Sequence, residues 1–221
     1  MKLLMIGDST MQTNKKSTFP QFGWGQLLPM FCKDSLQIIN FGKNKLSTKT
    51  ACELGIFGEL LKLVDNETYV ILQFGHNDRI KDKPERYVTL KEFELNLNKM
   101  IKEIQELGGK VILMTPTYRL IYDNDELRKD VLEEYPGIVE KVARENEVIF
   151  IDCYKIMYEF FSKLTHNQSK RYVMNFEPGI YDNYPCGSKD DTHFRVDGAF
   201  LISKIFSDEI KKKNCSLSKY F

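Results

Sequence analysis

Five short apolar runs recur along the chain without alternating polar and apolar positions: KLLMIG (2–7), QIINFG (37–42), YVILQFG (69–75), KVILMTP (110–116) and VIFIDC (148–153). Runs of this length, rich in Val, Ile, Leu and Phe, are the pattern of strands buried on both faces. Between them the periodicity is helical. Residues 90–107 place Phe93, Leu97, Met100, Ile101 and Ile104 at three- and four-residue steps with charges opposite, and Gly108-Gly109 ends the pattern. Residues 126–145 and 197–213 carry similar stripes, and an amphipathic helix just after His193 includes Val196, Ala199, Phe200 and Ile205 in its stripe. Strands alternating with helices predict an α/β, three-layer sandwich around a central five-stranded parallel sheet. No composition break, flexible linker or repeated residue pattern interrupts the chain, so one domain over 1–221 is expected.

An open parallel sheet binds its ligands at the carboxyl ends of its strands. Three unusual loops are then expected along one edge: Gly7-Asp8-Ser9, Gly42-Lys43-Asn44-Lys45 and Gly75-His76-Asn77-Asp78. Each has an ordinary structural reading beside a chemical one. Ser9 reads as a helix N-cap, for which serine is favoured, or as a nucleophile at a strand end. Gly75 to Asp78 reads as an Asx-type turn, or as a loop whose Asn77 amide donates to a developing oxyanion. Near the C-terminus, Asp190 stands three residues before His193, just ahead of the last helical stripe. In a tight turn that spacing lets the carboxylate accept from Nδ1–H and leaves Nε2 free to face a serine, the orienting pair that a serine nucleophile needs. The alternative is that His193 packs on the helix start while Asp190 and Asp191 are solvated. The chain has only three histidines, and His193 is the one flanked by a suitably spaced acid.

Composition narrows the field. Lys plus Arg total 32 and Asp plus Glu 31, a net charge of +1 that argues against a nucleic-acid binder. The five cysteines are widely spaced with no C-x-x-C, so neither a zinc ribbon nor a disulfide framework is expected; Cys32, Cys52 and Cys153 sit in apolar contexts and read as small core residues. No apolar run approaches the roughly 20 residues of a membrane helix, and the N-terminal run is too short for a signal peptide, so a cytoplasmic protein without a membrane partner is expected. There is no G-x-G-x-x-G and no P-loop pattern to hold a nucleotide. A two-metal phosphoesterase needs more histidines than these three, so neither metal nor cofactor is expected.

Together, Gly-Asp-Ser, Gly-His-Asn-Asp and Asp-x-x-His, in this order on an α/β chain, resemble the SGNH (GDSL-type) hydrolases. GWGQLL (23–28), QFGHND (73–78), MTPTYR (114–119) and DDTHFRVDGA (190–199) resemble the rhamnogalacturonan acetylesterase-like branch, with similarity spanning roughly residues 3 to 210. The resemblance implies a flavodoxin-like SGNH fold and a serine esterase acting on an acetylated saccharide. It implies Ser9 as nucleophile, His193 as general base and Asp190 as the triad acid in preference to Asp191. Asn77 and the Ser9 N–H would be oxyanion donors, and Asp8 would hold its loop. The family's further donor is a backbone N–H on a glycine, and here that position is Lys45. Either Lys45 adopts the glycine-like backbone and donates, or the hole is weakened and the chain is a poorly active or merely carbohydrate-binding relative.

On the substrate side, residues 166–189 form a long aromatic stretch leading to Asp190. Stretches of that length without secondary structure often serve as lids or binding loops. His76, Arg119, Tyr181 and Tyr184 are the candidate substrate contacts. The competing reading is that the tyrosines pin an irregular loop to the body.

Overall fold

The computed structural model describes residues 1–221. Nine strands and eight α-helices follow in chain order. They are β1 (Lys2–Gly7), α1 (Trp24–Leu27), β2 (Gln37–Asn40), α2 (Thr48–Glu53), α3 (Ile56–Leu61), β3 (Thr68–Gln73), α4 (Leu90–Glu106), β4 (Lys110–Met114), β5 (Tyr122–Asp123) and β6 (Glu126–Leu127), followed by α5 (Tyr135–Glu145), β7 (Ile149–Ile151), α6 (Cys153–Phe161), α7 (His166–Ser169), β8 (Val173–Phe176), β9 (Ser188–Phe194) and α8 (Val196–Lys211). The five apolar runs become the central sheet, all parallel, in the order β2-β1-β3-β4-β7.

The unbroken apolar runs have a direct cause. Successive side chains on a strand point to opposite faces, and here both faces are covered. Leu3, Met5, Ile71 and Ile112 enter one core with Trp24, Met157, Ile202 and Phe206, beneath α1, α6 and α8. Leu4, Ile6, Val70, Leu72 and Leu113 enter the other with Phe57, Leu97, Ile101 and Val139, beneath α3, α4 and α5. Burying one such side chain contributes about 1.5–3 kcal/mol, so a polar residue on either face of β1 or β3 would be costly.

The long helix is α4, and its predicted stripe is buried throughout. Thr89 and Glu92 close a capping box at its start, and Gly108 adopts φ +84° just past its end, so both boundaries carry a sequence signal. The helix predicted over 126–145 exists only from Tyr135. Pro136 belongs in a first turn, where its missing N–H is harmless and its ring meets no preceding carbonyl. Upstream, Asn124 and Asp125 take φ +50° and +65° and turn β5 back on β6, the two-positive-φ turn that favours tight hairpins. In α8 the buried face runs through Ala199, Ile202, Phe206 and Ile210, while Val196 and Phe200 are each 42% exposed, so the expected stripe is rotated. Of the three cysteines expected in the core, only Cys153 is buried; Cys52 is exposed and Cys32 half-buried.

The stretch 166–189 is not wholly irregular. It contains α7 and β8, and β8 pairs antiparallel with β9. This hairpin has an irregularity that matters for the site. Phe194 opposes Val173 and Asp190 opposes Met174, so Asp191, Thr192 and His193 have no residues opposite them and bulge from β9. Such bulges re-aim side chains beside sites. No helix is long and apolar enough to cross a membrane.

Candidate active site

The loops after β1, β2 and β3 and the β9 bulge meet in one cavity of about 320 Å³. Ser9, Asn44, Lys45, His76, Asn77, Arg119 and His193 are among its lining residues. The structure thus brings together Ser9, Lys45, Asn77, Asp190 and His193 from the two ends and the middle of the chain.

Ser9 is no helix cap. Met11 N–H donates to the Asp8 carbonyl in a turn, and no helix begins there. That turn is held by the buried Asp8, whose Oδ1 accepts from the N–H and the hydroxyl of Thr10, each at 2.8 Å. Gly7 fits because a Cβ there would lie 2.6 Å from the Gln73 carbonyl oxygen. Ser9 is left at the mouth of the cavity with its Oγ 2.8 Å from His193 Nε2.

On the other side of the ring, His193 Nδ1 lies 2.6 Å from Asp190 Oδ2. Oδ1 of the same carboxylate accepts from the N–H groups of Thr192 at 2.8 Å and His193 at 3.1 Å. The Asp-x-x-His spacing therefore works through a turn inside the bulge, where the sequence implied a turn ahead of α8. Asp191 faces elsewhere: its carboxylate accepts from Asn175 Nδ2 at 2.6 Å. Arg119 Nε braces the bulge by donating to Thr192 Oγ1 at 2.9 Å.

Electrostatics follow from this pairing. Burial pulls the His193 imidazole down, but the hydrogen bond and charge of Asp190 outweigh it and set the pKa above the ordinary 6.5. Burial pushes the Asp190 carboxyl up, and the His193 contact with the two N–H donors brings it below the usual carboxylate value. His76 behaves oppositely. It is buried against Thr117 Oγ1 at 3.0 Å, and burial pulls it to about 4, so it stays neutral at ordinary pH.

The amide of Asn77 is oriented by one of its own hydrogens, which donates to the Leu46 carbonyl at 2.9 Å; the other hydrogen remains for a ligand. The N–H groups of Ser9 and Lys45 donate to no backbone carbonyl. Lys45 has φ +65°, the left-handed conformation that costs a side-chain-bearing residue about 1–2 kcal/mol relative to glycine. The lysine thus takes a backbone state that a glycine would take freely.

The loops bearing Asn77 and Lys45 are tied together by Asp78, which neighbours Asn77 in sequence. Its buried carboxylate accepts from Thr48 N–H at 2.8 Å, Thr48 Oγ1 at 2.6 Å and Gly75 N–H at 3.0 Å. Burial pushes this carboxyl up to about 7 against those donors. Gly75 at φ +133° allows the turn, a conformation closed to most other residues.

Tyr181 and Tyr184 do not reach the Ser9 cavity. Tyr181 packs edge-on to Phe19 and Phe176, and Tyr184 stacks edge-on to Phe176 with its hydroxyl 3.4 Å from the Thr18 carbonyl. They fasten the β8–β9 connection to the segment around residues 16–19, the bland alternative for these aromatics. Arg79, Ile80, Arg86 and Thr192, none of them among the sequence-based candidates, also line the cavity. No three His, Cys, Asp or Glu side chains are grouped as a metal site would require.

A sequence model of the GDSL-like lipase/acylhydrolase family matches residues 5–195. The chain is 27% identical to the rhamnogalacturonan acetylesterase RhgT of Bacillus subtilis, over all of this chain and 94% of the relative. It is 31% identical to YesY of the same organism, described as a probable rhamnogalacturonan acetylesterase, over 98% of this chain and 95% of the relative. Among solved structures, Axe2, an acetylxylan esterase from Geobacillus stearothermophilus, superposes with a TM-score of 0.69 at 21% identity, covering 96% of this chain and 94% of the other.

Proposed function

The chain belongs to the GDSL-like lipase/acylhydrolase family, and from that premise we propose that it is a serine esterase that removes acetyl groups from acetylated carbohydrate. The observation that carries this reading is the continuous hydrogen-bonded line from Ser9 Oγ through the His193 ring to Asp190, at 2.8 and 2.6 Å. The esterase names of relatives that align over nearly the whole chain support it.

Ser9 Oγ attacks the acetyl carbonyl as His193 Nε2 takes its proton. The oxyanion is met by the Asn77 amide and by the N–H groups of Ser9 and Lys45. The tetrahedral intermediate collapses to an acetyl-Ser9 ester as its bond to the sugar oxygen breaks, and His193 gives the proton to that oxygen, which leaves as the sugar hydroxyl. A water molecule, deprotonated by the same nitrogen, then releases acetate and restores Ser9. Asp190 holds the ring with Nδ1 protonated and steadies the imidazolium. The cavity, about 320 Å³, suits an acetyl ester better than a long acyl chain, because Ile80 is the only apolar side chain among its lining residues.

The test is acetate release from a panel of acetylated saccharides, pectic and xylan-derived. Release from at least one, lost in Ser9→Ala, supports the reading. Hydrolysis of long-chain acyl esters with no acetate release from any saccharide contradicts it. A pH dependence follows as well. Only neutral His193 accepts the Ser9 proton, and its pKa is raised above 6.5, so kcat/KM rises with pH along an acid limb centred above pH 6.5. A limb at the pH of an ordinary carboxyl would contradict His193 as the base.

A further inference from the structure

Ser9 and His193 are carried by different sheets. Ser9 follows β1 of the five-stranded sheet, whereas His193 lies on β9, in a two-stranded sheet with β8. No ladder joins the two sheets, so the 2.8 Å between Ser9 Oγ and His193 Nε2 is kept by contacts between loops. The bonds from Asp190 to the N–H groups of Thr192 and His193 shape the bulge from within and do not fix it against β1. Backbone bonds hold its two ends: Leu120 N–H donates to the Asp191 carbonyl and Phe22 N–H to the Phe194 carbonyl, each at 2.9 Å. Between those ends, Arg119 Nε donates to Thr192 Oγ1 at 2.9 Å, on the residue next to His193. Arg119 stands on a firm base in the loop after β4. Its neighbours Thr117, Tyr118 and Leu120 are buried, and Tyr118 N–H meets Met157 Sδ at 3.3 Å.

We infer that Arg119 is a positioning residue for the base: its bond to Thr192 holds the β9 bulge against the loop after β4 and so keeps His193 on Ser9. The inference rests on the esterase reading for the reaction it serves. It gives Arg119 a different task from the substrate contact expected from the sequence. A charged donor makes one of the stronger hydrogen bonds, and a displacement of about 1 Å at the reacting groups can cost about 100-fold in rate. The guanidinium acts on His193 by its charge as well. Burial and Arg119 lower the His193 pKa, while Asp190 and Asp8 raise it. Loss of the charge alone therefore moves the acid limb to higher pH, and loss of the strut alone lowers the plateau.

The experiment uses p-nitrophenyl acetate, which carries no sugar and so separates a misplaced base from a lost sugar contact. Arg119→Met and Thr192→Val are each expected to lower kcat by about tenfold or more with KM little changed, and the double variant by no more than either single one. Thr192→Ser, which returns the hydroxyl, is expected to recover most of the loss. A crystal structure of Thr192→Val is expected to show His193 away from Ser9 or divided between two positions. Wild-type kcat in Thr192→Val overturns the inference, as do losses that multiply in the double variant. It is also overturned if Arg119→Met moves the acid limb to higher pH and leaves the plateau kcat untouched, since the arginine then acts by charge alone. Arg119→Met gives the same kinetic and crystallographic readings if Thr192→Val does not fold. If the wild type cleaves no ester, the esterase reading fails and the variant's crystal structure judges the strut alone: His193 displaced from Ser9 upholds it, and His193 unmoved removes it.

Discussion

Ser9→Ala and His193→Ala are each expected to lower kcat on an acetyl ester by about 10⁶-fold, and the double variant by no more than either single one. The reason is that the two groups act as one unit. Ser9 Oγ is a poor nucleophile while it keeps its proton, and His193 Nε2, 2.8 Å away, is the base proposed to take it. Without the imidazole the hydroxyl is inert, and without the hydroxyl the imidazole has nothing to activate. Steady-state rates on p-nitrophenyl acetate for the two singles and the double check this. Losses that multiply in the double variant would mean that Ser9 and His193 contribute independently, and the activation of one by the other would be wrong. Both side chains are only half-buried, so the variants should fold, and unchanged thermal unfolding serves as the control.

The second large effect belongs to Asp190→Asn, for which a fall in kcat of about 10⁴-fold is expected. The carboxylate does three things at once: Oδ2 accepts from Nδ1, and Oδ1 accepts from the N–H groups of Thr192 and His193. An amide can preserve the backbone contacts through its oxygen, but it then turns an NH2 toward Nδ1. The ring is driven to the tautomer protonated on Nε2, which cannot receive the Ser9 proton. The same change removes the negative charge that raises the His193 pKa. Any residual activity should therefore show its acid limb moved to lower pH, since an imidazolium without its anionic partner gives up its proton sooner. A large loss in kcat with an unmoved limb would mean that Asp190 shapes the bulge without governing the base. Asp191→Asn is the matching control, because that carboxylate faces Asn175.

What the sequence made legible divides along physical lines. The five sheet strands stand out because burial on both faces leaves them apolar without interruption. Helix α4 stands out because its stripe, its capping box and its terminal glycine agree. The hairpin at 122–127 does not, since its apolar residues mimic helical spacing while Asn124 and Asp125 impose a turn by their backbone conformation, and Pro136 restarts the helix later. Strand β8 and the start of β9 were hidden inside a stretch, 166–189, with the composition of a loop.

The residues proposed to react were recognisable because short motifs carry them: Gly-Asp-Ser, Gly-His-Asn-Asp and Asp-x-x-His. The way His193 reaches Ser9, through a bulge in β9, depends on pairing register and leaves no mark in a local pattern. Arg79 and Arg86 were passed over for a related reason. In the run DRIKDKPER they look like ordinary solvated charges, and only the folding of that loop against the cavity buries them. Lys45 lies between these cases. Its place in the loop after β2 is visible in the sequence, while its left-handed φ of +65° is not.

The most direct measurement is of the covalent intermediate. Wild-type protein is mixed with excess p-nitrophenyl acetate, quenched in acid within the first turnovers, digested and examined by mass spectrometry, with Ser9→Ala treated in parallel. The account predicts one acetyl group on the peptide containing Ser9, a burst of nitrophenol matching the enzyme concentration, and neither in Ser9→Ala. Full turnover with no acetylated peptide, or an acetyl group carried on a residue other than Ser9, would contradict it.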